Sequence, residues 1–466
     1  MFPDELKIAK VIPLFKSGDD SKCQNYRPVS VLPSFSKIFE KIIYSRLLSF
    51  IDKHDIIYKY QFGFRQYHST AMALIKLTEN ISNALEKGEF VLGVFLDFSK
   101  AFDTVNFNIL FKKLSLLGIR AIALNLIRSY LKNRKQYVVY NGSKSCEANI
   151  TCGVPQGAIL GPLLFSLYIN DIAAVSNKFF PLLFADDTNV FINKTNLHDC
   201  IETMNEELKK LVVWLQCNRL SLNIKKTHYI IFKTKNKITP QIITSPCINN
   251  EPIQQVTQTK FLGVIIDHQM NWYKHIQFVQ NKVAKGIGII NKARHLICHQ
   301  LLKTLYYSFV YPYLNYCIEI WGKSYVTHLQ SIIVQQKKII RWIAKAHYQA
   351  HTKDLFIKYD ILPLKKIYVF KVAQLLFKYF KGKLPAILSN LYTLAEEIHS
   401  YNTRYKHFAR TPAFHLNISE QTINFSGAKI WNFLVEQNID LNCSIHSFKH
   451  RVKIILHANE VDFLWL

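Results

Sequence analysis

The stretch LLFADDTNVF, residues 182–191, sets Asp186 and Asp187 side by side between apolar and β-prone residues. Leu183, Ala185 and Asp187 alternate with Phe184, Asp186 and Thr188, which reads as a strand turning at the acids. A buried carboxylate without compensation costs several kcal/mol, and two neighbours also repel, so such a pair calls for a cation or strong donors. Taken alone, the same segment also fits an ordinary polar hairpin.

Composition narrows the partners. The chain has 466 residues, 49% of them hydrophobic, enough for two or more domains with sizeable cores. Lys and Arg number 59 against 32 Asp and Glu, a formal charge of +27. That excess makes a nucleic acid or another polyanion the expected partner, with an acidic membrane surface the weaker reading. No apolar run approaches the roughly 20 residues that span a bilayer. The start, MFPDELKIAK, lacks the charged-then-apolar order of a signal peptide, so a soluble, intracellular protein is expected. The nine cysteines are scattered, odd in number and free of Cys-x-x-Cys pairs, which argues against a disulfide framework or zinc finger. His295, Cys298 and His299 fall at helical spacing but lack a fourth ligand.

Along the chain, residues 1–90 read as mostly helical after an irregular, proline-punctuated start. One helix follows from Phe35, Ile38, Phe39, Ile42, Ile43 and Leu47, with Ser34 or Ser36 as cap. A second is capped by Ser69 and stopped by Gly88. The period then changes: EFVLGVFLDF, residues 89–98, is nearly all apolar and ends in Asp97, as a strand buried on both faces would. Two amphipathic helices, a hairpin turning at Asn141 and Gly142, and an apolar helix from Gly161 lead to the paired aspartates. Asp97 and Asp186 are far apart in sequence but suit neighbouring strands, which lie about 4.8 Å apart. Carboxylates at such strand ends can hold two Mg²⁺ ions about 3.5–4 Å apart, as phosphoryl transfer uses them. Mg²⁺ favours a few carboxylates completed by water and substrate phosphate.

Three blocks in order, FLDFSKAFD at 95–103, GVPQGAILGPLLFSLYIND at 153–171 and FADD at 184–187, resemble the palm motifs of reverse transcriptases. In detail they resemble the enzymes of non-LTR, LINE-type retrotransposons, particularly the jockey-like group. The flanking NYRPVSVLPSFSKIFEKIIYSRL, QFGFRQYHST, RLSLNIKKTHYIIF and KFLGVIID agree, and the likeness covers about residues 2–345. It implies an α+β right-hand polymerase with fingers, palm and thumb and a mostly helical C-terminal region. The expected division is fingers at 1–90, palm at 91–255 (reverse transcriptase domain about 1–265), primer grip and helical thumb at 256–345, and a basic C-terminal region at 346–466.

The resemblance also assigns roles. Asp97 and Asp186 would ligate both Mg²⁺ ions, with Mn²⁺ as the substitute such ligands accept. Asp187 would support the site electrostatically, and the Phe98 carbonyl would complete one coordination sphere. Phe102 stands at the steric-gate position, where a ring under the sugar clashes with a ribose 2′-OH and selects dNTPs. Gln156 and Gly157 would pack against the incoming dNTP and templating base. Arg65 would reach the triphosphate with its guanidinium fork, with Lys16 and Arg27 as further basic candidates. Lys226 stands near the expected leaving group, and Lys225 competes for that assignment. His228 departs from the Glu of many relatives. Phe261, Leu262 and Gly263 form the expected primer grip. Lys282, Lys285 and Lys292, then Lys337, Lys338, Arg341 and Lys345, lie at helical spacing and suit a thumb on a template–primer duplex.

The interleaved aromatics and bases of 346–466 suit RNA stacking, and equally a core with a basic surface. The function expected is RNA-directed DNA polymerisation, with an RNA template, DNA primer and dNTPs as partners. The rival readings are a catalytically inactive RNA-binding relic or domesticated element protein, and a group II intron maturase. Complete relatives carry an apurinic-type endonuclease ahead of the polymerase, and with Met1 at the start of the fingers that domain is expected to be lacking. A mobile-element protein implies a cytoplasmic location with a nuclear stage.

Overall fold

A computed structural model describes residues 1–238, 244–398 and 406–464. Its first elements are β1 (Ile8–Phe15), β2 (Tyr26–Val31), α1 (Ser34–Lys53), α2 (Thr70–Glu86), β3 (Phe90–Leu96), α3 (Phe107–Leu116) and α4 (Ala121–Leu131). Then come β4 (Lys135–Tyr140), β5 (Ser143–Lys144), β6 (Ala148–Asn149), α5 (Leu160–Tyr168), β7 (Phe180–Phe184), β8 (Asp187–Lys194), α6 (Leu197–Cys217) and β9 (His228–Phe232). Four short strands, β10 (Cys247–Ile248), β11 (Glu251–Pro252), β12 (Gln254–Gln255) and β13 (Gln258–Phe261), precede β14 (Val264–Asp267). The rest is helical, with α7 (Tyr273–Ala293), α8 (His299–Phe309), α9 (Tyr311–Asn315), α10 (Ile318–Trp321), α11 (Val326–Ile343), α12 (Lys353–Lys358) and α13 (Leu364–Phe380). It closes with α14 (Ala395–Ile398), α15 (Ile423–Glu436) and α16 (Ile445–Ala458).

Two compact units result. The first takes Met1–Gln66, Leu92–Tyr229 and the described part of Thr239–Gln255; the second takes Tyr67–Val91, Ile230–Ile238 and the described part of Val256–Leu466. Each therefore draws on segments that the expected fingers, palm and thumb divide differently.

Two larger sheets, with most of their residues in the first unit, run in the order β12-β9-β3-β8-β7 and β2-β1-β4-β5, with β6 also on β4. Every residue of β3 is buried, as its unbroken apolar run requires of a central strand. Fully burying each such side chain contributes roughly 1.5–3 kcal/mol. The irregular start expected for the chain is instead β1 and β2, an antiparallel ladder from Lys10↔Val31 to Phe15↔Tyr26. β1 also pairs in parallel with β4, from Ile8↔Lys135 to Val11↔Val138. Its ladder partner comes from far along the chain and its burial is broken, so local periodicity does not mark it as a strand.

Helix α1 corrects the sequence reading twice. Its N-cap is Pro33 rather than a serine, and Ser36 turns inward to donate to Glu40 Oε1 at 3.1 Å. The buried face carries Ser36, Glu40, Leu47 and Ile51, whereas Phe35, Ile38 and Ile42 are more than half exposed. The second expected helix is as read: the Ser69 hydroxyl accepts from Met72 N–H, and Gly88 lies at φ +70° beyond its end. Asn141 and Gly142, both at positive φ, turn the β4–β5 hairpin with Tyr140 opposite Ser143.

In the second unit, α7 packs on α8 and α11, and α13 on α15 and α16. The aromatics of the C-terminal region go mainly into its core. Tyr368, Phe377, Trp431 and Phe448 are buried, and Phe380 stacks on Trp431 at 3.9 Å. Among the described residues, no helix is long and apolar enough to cross a membrane.

Candidate active site

β7 and β8 form the expected hairpin, with Phe184 opposite Asp187 and only Ala185 and Asp186 in the loop. Ala185 sits at φ +57°, in the left-handed region that favours glycine. In sheet order β3 is the neighbour of β8, so Asp97, just past the end of β3, joins the strand that starts at Asp187. Asp97 acts on both members of the pair. Protein around Asp187 and the charges of Asp186 and Asp97 push its carboxyl up to about 6. Asp186 is also raised by partial desolvation, with Asp97 adding to the rise and Arg27 and Lys16 opposing it. Arg27 and Lys16, from β2 and the end of β1, are thus the basic groups acting on this acid.

The pair is not sealed from water as the flanking apolar runs suggest. Asp186 and Asp187 open to solvent at the hairpin tip, while Ala185 and Thr188 beside them are buried. Among the described residues, the one trio of metal-type ligand atoms all within 4.8 Å of one another is His198, Asp199 and Glu202, exposed at the start of α6. The three aspartates, and likewise His295, Cys298 and His299, do not close that tightly. Three hard carboxylate donors, two of them open to solvent and raised by desolvation and by neighbouring acids, suit a divalent cation of the Mg²⁺ class.

Asp97 is anchored from its other side. Its N–H donates to the Thr227 hydroxyl at 3.4 Å, and its carbonyl accepts from Asn223 N–H at 2.8 Å. Ser99 N–H donates to Ser221 at 2.8 Å across the antiparallel Phe98↔Leu222 bridge. In such a pair the bridged residues' own amide groups point away from each other, so the Phe98 carbonyl faces away from Leu222. Lys225 and Lys226 are both exposed on the turn that Thr227 closes. His228 stacks on Phe95 at 5.5 Å, which gives its ring a packing role.

Phe102 stacks on Phe165 of α5 at 4.4 Å and meets Phe64 edge-on at 6.4 Å, so the ring is held from two sides. Its carbonyl accepts from Val154 N–H at 2.8 Å, and Val105 accepts from Gly153 N–H at 2.9 Å. A Cβ on Gly153, at φ +87°, would lie 2.7 Å from the Asp103 carbonyl oxygen. The Gln156 amide donates to Asp103 Oδ1 at 2.9 Å. Gly157, at φ +120°, brings its Cα against the Ser30 carbonyl of β2, where a Cβ would be at 2.5 Å. The glycines of this block therefore serve close approach of protein strands to one another. Arg65 donates to the carbonyls of Tyr58 and Gln61 at 3.3 and 3.4 Å. Burial lowers its pKa, and the acids acting on it are Asp52 and Asp55 rather than the trio.

Three residues with structural leverage on the site escaped the sequence reading. Fully buried Glu40 accepts through Oε2 from Ile159 and Leu160 N–H at 2.6 and 3.2 Å, satisfying the start of α5. Asp103 holds Gln156, and Gln61 reaches the aspartate turn. Gln61 and Asp103 lie inside quoted blocks, but only their neighbours carried a family role.

In the second unit, β13 and β14 form the hairpin expected around Phe261, Leu262 and Gly263. Phe261 is buried opposite Val264, and Leu262 and Gly263 turn at φ +46° and +82°. Tyr316 donates to the Leu262 carbonyl at 2.8 Å and leaves a Cβ on Gly263 only 3.0 Å of room. On α7, Lys285 and Lys292 are exposed and Lys282 lies 5.6 Å from the Phe278 ring. On α11, Lys337 is exposed, Lys338 lies 5.0 Å over Trp342, and Arg341 donates to the Ala350 carbonyl at 2.9 Å. Lys345 follows the helix at φ +51°, off the regular face the spacing suggests.

Chain-wide comparison bears out the likeness read from the motifs. The chain is 30% identical over 351 residues, 73% of its length, to a probable RNA-directed DNA polymerase from transposon X-element of Drosophila melanogaster, of which it covers 38%. It is 31% identical over 366 residues, 76% of its length, to the RNA-directed DNA polymerase from mobile element jockey of Drosophila funebris, of which it covers 39%. The chain thus spans about two fifths of the length of these relatives. Among solved structures, apo telomerase from Candida tropicalis aligns with a TM-score of 0.43 and 11% identity, over 83% of this chain and 68% of that one. Residues 15–266, more than half of the chain, match the family described as reverse transcriptase (RNA-dependent DNA polymerase), and to that family the chain belongs.

Proposed function

We propose that this chain is the RNA-directed DNA polymerase of a non-LTR retrotransposon, extending a DNA primer with dNTPs on an RNA template. The observation that carries the reading is the convergence of Asp97 with Asp186 and Asp187, both of which feel the charge of Asp97, at the junction of β3, β8 and the hairpin. The family works with divalent metal, and the donor set here suits two Mg²⁺ ions, with Mn²⁺ as a substitute. Asp97 and Asp186 would hold them, aided by the Phe98 carbonyl. Bound there, such ions lower the pKa of a primer 3′-hydroxyl and neutralise triphosphate charge.

The chain's own residues do the aligning. Phe102, clamped by Phe165 and Phe64, supplies a rigid wall for the sugar. Gln156, fixed by Asp103, presents its remaining polar edge toward base and sugar. Arg65 serves the triphosphate once released from its two loop carbonyls, and Lys226 supplies positive charge near the pyrophosphate. The Phe261–Gly263 hairpin steadies the primer end, and the lysines of α7 and α11 hold the duplex backbone.

The test is dTTP incorporation on poly(rA)/oligo(dT) with Mg²⁺. Wild type extends the primer, and Asp186→Ala loses at least about 10³-fold. Equal inactivity of both proteins would leave a relic that binds RNA without the chemistry.

A further inference from the structure

We propose that Gln61 is the positioning residue that fixes the shape of the aspartate turn, an inference that rests on the polymerase reading of that turn. Gln61 is 1% exposed and lies on the segment that runs beside β7. That segment is stitched to the strand: Phe62 N–H donates to the Leu183 carbonyl at 2.8 Å and Leu183 N–H to Tyr60 at 3.0 Å, around a parallel Gln61↔Leu183 bridge. The side chain then reaches past the end of the strand. Its Oε1 accepts from Gly63 N–H at 2.8 Å and from Ala185 N–H at 3.0 Å.

The second bond matters because of what Ala185 is. It is the first loop residue of the hairpin, buried, and in a left-handed conformation that residues with a Cβ seldom adopt. Its N–H lies outside the β7–β8 ladder, and a buried N–H without an acceptor is strongly disfavoured. The Gln61 carboxamide supplies that acceptor. Gly63 makes the approach sterically feasible, because a Cβ there would stand 2.2 Å from Ala185 N. Among the described residues Gln61 Nε2 has no hydrogen-bond partner, so the position uses the acceptor and not the donor of the amide. Ala185 directly precedes Asp186, and any change in its dihedral angles swings the carboxylate on which metal binding depends.

Hydrogen exchange with peptide resolution tests this without recourse to catalysis. In Gln61→Met, which keeps the length and drops the acceptor, peptides covering 182–190 should exchange about 10- to 100-fold faster while those of α2 and α13 keep wild-type rates. The same variant should lower kcat with KM for dTTP unchanged, and raise the Mn²⁺ concentration that half-saturates the protein in a spin-resonance titration. Wild-type exchange at 182–190 in Gln61→Met overturns the proposal. Should that variant lose protection throughout, Gln61→Glu carries the test, because it retains the accepting oxygen. Protected 182–190 in Gln61→Glu supports the assignment, and fast exchange confined to 182–190 overturns it. Absence of polymerase activity in wild type would sink the polymerase reading alone, since the exchange result decides Gln61 independently.

Discussion

Replacing Glu40 by alanine removes a buried carboxylate far in sequence from the helix it serves, and the structure sets the size of the damage. Two N–H groups at the start of α5, Ile159 and Leu160, lose a charged acceptor, as does the Ser36 hydroxyl. Hydrogen bonds to charged groups contribute about 1.5–3 kcal/mol each, and they do not add fully. Arg134 is also affected. It is fully buried over the Tyr130 ring and donates to the Tyr130 carbonyl at 3.2 Å, and among the described residues its Nε and Nη2 have no partner. Burial lowers its pKa, and Glu40 is one of the charges that hold it up. Glu40→Ala should therefore destabilise the first unit by about 3–5 kcal/mol, and Glu40→Gln, which keeps an oxygen at the helix start, by about half of that. Native-state hydrogen exchange in denaturant, read on peptides of α1 and α5, gives the free energy for that unit alone. Pairing Glu40→Ala with Arg134→Met should recover part of the loss, because the uncompensated cation leaves with its partner. A loss below about 1 kcal/mol for Glu40→Ala, or a double variant worse than the sum of the singles, refutes the reasoning.

Gly63→Ala drives a methyl group into the Ala185 backbone and should cost at least about 100-fold in primer extension, the scale expected of a 1 Å misplacement; retention of half the activity would contradict the close approach. Phe102→Val removes the clamped ring, and the preference for dTTP over UTP, measured as a ratio of kcat/KM, should fall roughly 10- to 100-fold. An unchanged ratio denies Phe102 the gate role. In the second unit, His275 is buried, accepts from Ile265 N–H at 3.3 Å and is held down to about 4 by desolvation and by Lys260. Its pKa in the unfolded chain is near 6.5, so the unfolded state binds the extra proton between those values. The stability owed to neutral His275 is complete above about pH 6.5 and is lost as the pH falls toward 4, by on the order of 3 kcal/mol. Urea midpoints across that range should drop in wild type and drop less in His275→Gln; parallel curves would exclude His275 as the source.

Legibility in the sequence followed locality. The Ser69 cap, the Asn141–Gly142 turn, the apolar β3 and the aspartate hairpin depend on a few adjacent residues, and all are present as read. β1 was opaque because its pairing with β4 bridges residues more than a hundred positions apart. α1 misled for another reason: its periodicity was right and Leu47 is buried as read, but over its first turns the phase was not. Phe35, Ile38 and Ile42 mark a stripe that faces outward, while Ser36 and Glu40 form the buried face because the open end of α5 demands a carboxylate there. A glutamate in an amphipathic pattern looks solvated unless the helix start it caps is known. The aspartates stood out because paired acids between apolar runs are rare, whereas Gln61 and Asp103 act through other residues and leave no such mark.

Ala185 gives the aspartate hairpin an unusual independence from its ligands. Its backbone is held in a conformation it does not prefer by a neighbouring segment, so the shape of the turn that carries Asp186 is set when the chain folds. Fluctuations of the tip and of residues 60–63 should therefore be correlated.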